Sequence, residues 1–249
     1  MTPDNHRTSF PPDGRSAFPL RGAVALVTGA NRGIGRAFTR ELLDRGAAKV
    51  YAGARDPSTV QEPCVLPVRL DVTDPEQVAA AVDRCGDVDL LVNNAGIFHA
   101  GPLLGAPSVQ DAREEMETNL FGTLAMIRAF APILGRNDGG AVIVALSALS
   151  FINYAPWGTY SASKAAAWSM TNSVRDELAD QGTLVTAVHS GLVDTDMTQA
   201  LELPKISPEV YVDAALDAVA AGEIEALADE HTHTYRAMLA YHPHRPPWD

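Results

Sequence analysis

Cationic charge and cysteine are scarce in this chain. It carries 19 lysines and arginines against 31 aspartates and glutamates, a formal charge of −12, and its pI lies near 4.9. Nucleic acid and anionic membrane surfaces are held by basic faces, so neither is expected as a partner. Any anion has to be bound by a local cluster of groups instead. The two cysteines, Cys64 and Cys85, fit neither a C-x-x-C pair nor a metal-ligand spacing. A reduced, cytoplasmic chain without a disulfide is therefore expected. No uninterrupted apolar run approaches the ~20 residues a membrane-spanning helix needs. Residues 1–19 hold four prolines and no apolar signal-peptide core, so no leader of that kind is expected. His231, His233, His242 and His244 lack an acidic or cysteine partner at fixed spacing, and no metal site is expected.

What the chain does have is alternation. At 249 residues it is long enough to bury one large core, and a single domain over residues 20–241 is expected between a flexible leader, 1–19, and a proline-rich tail, 242–249. Apolar runs of strand length without polar alternation stand at 23–27, 49–54, 65–70, 88–92, 141–146, 184–189 and 224–228, as strands buried on both faces read. Helical stretches separate them. One follows a glycine-rich turn, and Pro75 opens a second at its first turn. A long one runs from about Ser108 to Leu134 with a break near Pro132. Two more cover about Thr159 to Ala179 and Pro208 to Ala221. Such alternation predicts an α/β fold, a doubly wound parallel sheet of about seven strands with helices on both faces, binding its ligands beyond the carboxyl ends of the strands.

Two stretches bear chemistry. Thr28-Gly29-Ala30-Asn31-Arg32-Gly33-Ile34-Gly35 lies between the first strand and the first helix, the order that brings backbone N–H groups and a helix N-terminus to a phosphate. Its spacing is G-x-x-x-G-x-G rather than the common G-x-G-x-x-G. In the second stretch, Tyr160 and Lys164 stand four residues apart in a helical run, which puts a phenol and an ammonium on one face. With an unperturbed pKa of about 10, tyrosine alone is a poor base at neutral pH, and a neighbouring cation is what would change that.

Together with Asn93-Asn94-Ala95-Gly96 and Ser147, these motifs stand in the order found in the short-chain dehydrogenase/reductase superfamily, which the chain resembles over roughly residues 22–228. The resemblance implies a Rossmann-type domain and assigns Ser147, Tyr160, Lys164 and Asn119 to catalysis. Tyr160 is then the general acid or base, Lys164 lowers its pKa and holds the nicotinamide ribose, Ser147 positions the carbonyl oxygen, and Asn119 joins a proton relay. Asn119 also reads as a helix-interior asparagine bonding local backbone. The same resemblance implies cofactor contacts at Gly29, Asn31, Arg32, Gly33, Ile34, Gly35, Asp71, Val72, Asn93, Ala95, Gly96, Gly191, Val193 and Thr195. Asp71 reads equally as a cap of the next turn. The family's Pro-Gly after the sixth strand is Ser190-Gly191 here, preceded by His189.

Where a carboxylate would select NAD(H), at the end of the second strand, this chain has Ala54-Arg55. Arg55, with Arg32, suits a 2′-phosphate, so NADP(H) is expected over NAD(H). Asp56 argues the other way, and both arginines also read as surface charges. Phe98, Leu149, Phe151, Trp157, Leu192 and Met197 are expected to line an apolar substrate site that suits a lipophilic ketone or alcohol. Small residues and Trp168 and Met170 on the Tyr160 helix predict a homodimer or homotetramer. The alternative function is a dinucleotide-sensing regulator of the same fold without turnover.

Overall fold

The computed structural model describes residues 17–99 and 101–239. Its strands are β1 (Val24–Thr28), β2 (Lys49–Ala54), β3 (Leu66–Arg69), β4 (Leu90–Asn93), β5 (Ala141–Ala145), β6 (Leu184–His189) and β7 (Glu225–Leu227). They form one sheet in the order β3-β2-β1-β4-β5-β6-β7, parallel at every pairing. β2 and β6 span the residues expected from the sequence, because a strand buried on both faces leaves a continuous apolar run with polar residues only beyond its ends.

Helices cover both faces. On one lie α1 (Gly33–Asp44) and α6 (Pro208–Ala221), whose Phe38, Leu42, Tyr211 and Leu216 pack on Val27, Val50 and Ile143. On the other lie α2 (Pro75–Arg84), α4 (Thr123–Arg136) and α5 (Gly158–Glu177), with Val78, Phe130 and Val174 against Leu26, Leu91 and Val142. Each such side chain contributes about 1.5–3 kcal/mol by leaving water. The helix α3 (Gln110–Met116) runs into α4 through a wider, π-helical turn, Glu117–Gly122.

Three features differ from the sequence expectation. The expected break near Pro132 is absent, and α4 continues to Arg136. An interior proline costs about 3 kcal/mol, but Phe130, Ile133 and Leu134 are buried on either side of it and Gln181 Nε2 donates to the Ala131 carbonyl at 3.1 Å, so packing outweighs the lost ladder bond. An unexpected helix, α7 (Glu230–Met238), follows β7; Asp229 caps it, accepting from the Thr232 N–H at 2.8 Å. Phe18, assigned to the leader, already packs on the α1–α6 core, and its N–H donates to the Val219 carbonyl at 3.1 Å. Residues 1–16 of the leader and the tail, with His242 and His244, lie outside the described residues.

Strand order reverses between β1 and β4, and the crevice beyond their carboxyl ends is where an open α/β sheet takes its ligand. The glycine-rich turn and Asn94-Ala95 face each other there. Gly29 adopts φ +64°, and a Cβ on Gly35 would fall 2.1 Å from the Gly29 carbonyl oxygen. Only glycine fits at Gly35, because the atom it would strike is backbone.

Candidate active site

A cleft of about 480 Å³ runs over this crevice, lined by the glycine turn, Ala54-Arg55-Asp56, Asp71-Val72, Asn94 to Ile97, Tyr160, Lys164 and Thr195. Asn31, Arg32, Gly33, Ile34 and Gly35 all stand on its wall. Asn94, rather than Asn93, braces it. Asn94 Nδ2 donates to the Thr28 carbonyl at 2.9 Å and to the Gly29 carbonyl at 3.2 Å, while Thr28 Oγ1 accepts from the Asn94 and Ala95 N–H groups at 3.0 Å each. Asn93 points into the buried sheet, with both polar side-chain atoms unbonded among the described residues. Register explains the swap, since adjacent strand residues face opposite sides.

The charged groups of the cleft are disposed unevenly. Arg55 is exposed, and its guanidinium has no ion pair among the described residues. Arg32 pairs with Asp196 at 3.6 Å, both largely exposed. Asp56 is engaged by Ser58, accepting from its N–H at 3.0 Å and its hydroxyl at 2.7 Å, and these bonds lower its pKa. Asp71 lines the cleft and also caps its own turn, accepting from the Thr73 N–H at 3.0 Å and hydroxyl at 2.7 Å.

At the inner end stand Ser147, Tyr160 and Lys164. Ser147 follows β5 and opens a 3-10 turn; its Oγ accepts from the Leu149 N–H at 3.2 Å and donates to the Ser190 carbonyl at 3.5 Å, and the residue lines the same pocket as Tyr160. Lys164 is buried, its Nζ donating to the Ala145 carbonyl at 2.9 Å and sitting 5.7 Å from the centre of the Tyr160 ring. Burial draws the Lys164 ammonium down to about 8, opposed by the negative Glu115. The phenol is pushed up from its ordinary value, first by burial and then by Glu115, with Ser147 acting in the other direction. The expected lowering of Tyr160 by Lys164 is therefore absent: desolvation of the phenolate dominates, and the ammonium is spent on a backbone carbonyl.

Asn119 is buried on the π-helical turn. Its side chain accepts from the Ile97 N–H at 2.9 Å and donates to the Ile97 carbonyl at 3.0 Å and to Ser163 Oγ at 2.9 Å, with no bond to Lys164. It fastens the strand-end loop to the helices. Glu115, one turn before it and missed in the sequence, is fully buried and accepts from the His99 N–H at 2.7 Å. An E-E-x-E run on a polar helix conceals which carboxylate turns inward.

A second cavity of about 420 Å³ adjoins the cleft, and Tyr160, Leu146, Ile34, Thr195 and Met197 line both. Phe98, Leu149, Trp157 and Leu192 stand on its wall, as do Gly191 and Val193, which lie here rather than in the cleft. Phe98 meets the Tyr160 ring edge-on at 5.0 Å and Trp157 at 5.4 Å. Phe151 is not on the wall. The 3-10 turn Ala148–Ser150 rotates it behind the pocket, where it stacks on His189 at 4.1 Å. Tyr154, and His231 and Tyr235 from α7, complete the wall and were not expected; the i, i+4 spacing of His231 and Tyr235 after a capping aspartate was the available signal. Among the described residues the lining includes no lysine, arginine, aspartate or glutamate.

A family model described as short chain dehydrogenase matches residues 23–205. The chain belongs to the short-chain dehydrogenase family. Among its relatives, a 3-oxoacyl-(acyl-carrier-protein) reductase, FabG, of Vibrio cholerae is 36% identical over 192 residues, covering 73% of this chain and 78% of that one. An 11-beta-hydroxysteroid dehydrogenase A of Sesamum indicum is 35% identical over 194 residues, 72% of this chain and 55% of that one. A short chain dehydrogenase from Burkholderia cenocepacia, solved in complex with NADP, superposes with a TM-score of 0.86 at 44% identity, covering 89% of this chain and 94% of that one. Another from Burkholderia phymatum, solved with NAD, superposes at 0.80 over 92% of this chain and 99% of that one, with 24% identity; it shows the fold alone. Within this oxidoreductase family the glycine cradle, which a single Cβ would fill, fits a dinucleotide.

Proposed function

We propose that this short-chain dehydrogenase is an NADP(H)-dependent oxidoreductase that interconverts a ketone or aldehyde with the corresponding secondary or primary alcohol, on a lipophilic, uncharged substrate. The observation that carries this reading is the position of Tyr160, whose side chain forms part of the wall of both cavities. One proton-bearing group thus stands between a dinucleotide cleft and an apolar pocket. NADPH, when bound, supplies the hydride. Ser147 Oγ offers a hydrogen bond to the carbonyl oxygen and polarises it. Tyr160, protonated at neutral pH, donates a proton to the same oxygen in reduction and takes one from the alcohol in oxidation. Lys164, titrating at about 8, is close enough to neutrality to replace that proton.

Several observations support NADP(H). Arg55 stands on the cleft wall with no ion pair among the described residues, Asp56 is engaged by Ser58, and the exposed Arg32–Asp196 pair, worth about 0–1 kcal/mol, gives way readily to a phosphate. The NADP-bound relative at 44% identity agrees. The lack of lysine, arginine, aspartate and glutamate among the described residues of the pocket lining supports an uncharged substrate. We also read the protein as a cytoplasmic homodimer or homotetramer, with the exposed Ala162 and Ala165 of α5 and the half-exposed Phe121 as the candidate surface.

The test is a panel of uncharged aromatic and aliphatic ketones followed at the reduced-nicotinamide absorbance, with NADPH and NADH side by side. Oxidation of NADPH in preference to NADH is expected. Tight NADPH binding with no turnover across the panel would favour the dinucleotide-sensing regulator instead.

A further inference from the structure

We propose that His189 is a positioning residue for Ser147, acting through Ser150 as a neutral imidazole that carries its proton on Nδ1. The proposal rests on the reading of Ser147 as the group that holds the carbonyl oxygen. His189 ends β6 and is fully buried. Its Nδ1 lies 2.8 Å from Ser150 Oγ and 3.2 Å from the Ser147 carbonyl oxygen. The Ser150 hydroxyl itself donates to that carbonyl oxygen. A hydroxyl has one proton, so toward His189 it can only accept, and the carbonyl only accepts in any case. Nδ1 therefore bears the proton.

The surroundings keep the ring neutral and fixed. Phe151 stacks on it at 4.1 Å, and Trp168 meets it edge-on at 6.0 Å. The charged groups that face it are Glu225 of β7, with Oε1 3.7 Å from Nε2, Arg236 of α7, and Lys164 and Arg175 of α5. Glu225 is engaged by Arg236 at 2.8 Å, which also lies over the Phe151 and Trp168 rings. Nε2 has no hydrogen-bond partner among the described residues. Burial, with the three cations beside it, outweighs the hydrogen bond to the Ser147 carbonyl and lowers the imidazole to about 3, so the ring does not switch near neutrality.

The consequence reaches the site through the backbone. The Ser147 carbonyl is gripped from behind by Ser150 and His189, and the Ala148 N–H donates to the Ser190 carbonyl at 2.7 Å. With the peptide on its C-terminal side fixed, Ser147 is held in one orientation on the pocket wall it shares with Tyr160. The backbone of Ser190, the residue in the family's proline position, thus shares in fixing the turn, so the network ties both ends of the departure from the Pro-Gly pattern to Ser147.

Two measurements test this. In 15N-histidine-labelled wild-type protein, the resonance missing from His189→Asn identifies His189, and the Nδ1–H neutral tautomer is expected from pH 5 to 9; an Nε2–H tautomer or an imidazolium would overturn the proposal whatever the protein's activity. In single-turnover reduction of a ketone from the panel, His189→Leu and Ser150→Ala should each slow transfer about 10- to 100-fold, as a misplaced group does, with NADPH affinity within about twofold. Combining them should add little. His189→Asn, whose amide places an N–H near Nδ1, should recover most of the rate. Wild-type rates in folded His189→Leu, or equal loss in His189→Leu and His189→Asn at matched thermal stability, would also overturn it. A wild-type protein that turns over no ketone refutes the enzyme reading, and with it the positioning of a substrate by Ser147, while the tautomer result still reports whether the chain of hydrogen bonds exists.

Discussion

The dinucleotide cleft and the apolar pocket share Tyr160 but are built from different material. The cleft is made largely of backbone: strand ends, the glycine turn, and Asn94 tied to the Thr28 and Gly29 carbonyls. Its shape follows from strand register, and a methyl group at Gly35 would destroy it. The pocket is made of side chains brought from the 3-10 turns Ala148–Ser150 and Ala155–Trp157, the loop after β6 and helix α7. Binding a common cofactor belongs to the fold, whereas choosing a substrate belongs to loops free to vary.

If that division is right, substitutions in the two regions separate cleanly. Tyr160→Phe, on the shared wall, should lower turnover by about 10²–10⁴-fold, the usual worth of a general acid, while NADPH affinity stays within about twofold; stopped-flow rates and a fluorescence titration check both. Arg55→Ala removes a charge-assisted partner worth about 1.5–3 kcal/mol. It should weaken NADPH by roughly one to two orders of magnitude and leave NADH and the substrate KM unchanged. Equal losses for both cofactors would remove the 2′-phosphate assignment.

On the pocket side the expected effect is smaller. His231 is an exposed rim residue, and His231→Ala should change the KM for a ketone by about threefold with no effect on NADPH; a matching shift in NADPH affinity would mean the two regions are not independent. A separate effect is on the cofactor-free protein. Lys164 titrates at about 8 when folded, against an ordinary 10.5, so above pH 8 the unfolded chain binds more protons and stability rises with pH. Between about pH 8 and 9.5, before tyrosines titrate, the gain should approach 1.4 kcal/mol per pH unit, and Lys164→Met should flatten it in urea unfolding curves.

The same division decides what was legible in the sequence. The β2 and β6 runs, the Pro208 start of α6 and the glycine turn are local patterns, and local patterns set the cleft. The place of Arg55 on the cleft wall was legible because it stands at a fixed distance beyond the glycine turn. The misreadings fall where tertiary packing overrides local preference, as at Pro132, or where the direction of a side chain depends on a turn, as at Phe151 and Asn93. His189 and Ser150 are 39 residues apart, and no pattern along the chain joins them. The lowering of Tyr160 by Lys164 failed for a related reason: spacing on a helix face shows proximity, but burial, which dominates here, is set by Phe98 and the neighbouring elements.

The central claim is that a hydride crosses between two cavities that meet at Tyr160. It is tested most directly by supplying NADPH deuterated at the transferring position of C4 with a ketone the enzyme accepts, and locating the label by mass spectrometry. The account predicts one deuterium on the carbinol carbon of the alcohol for each NADPH oxidised. NADPH consumed without label in the product, or bound with no ketone reduced, would contradict it.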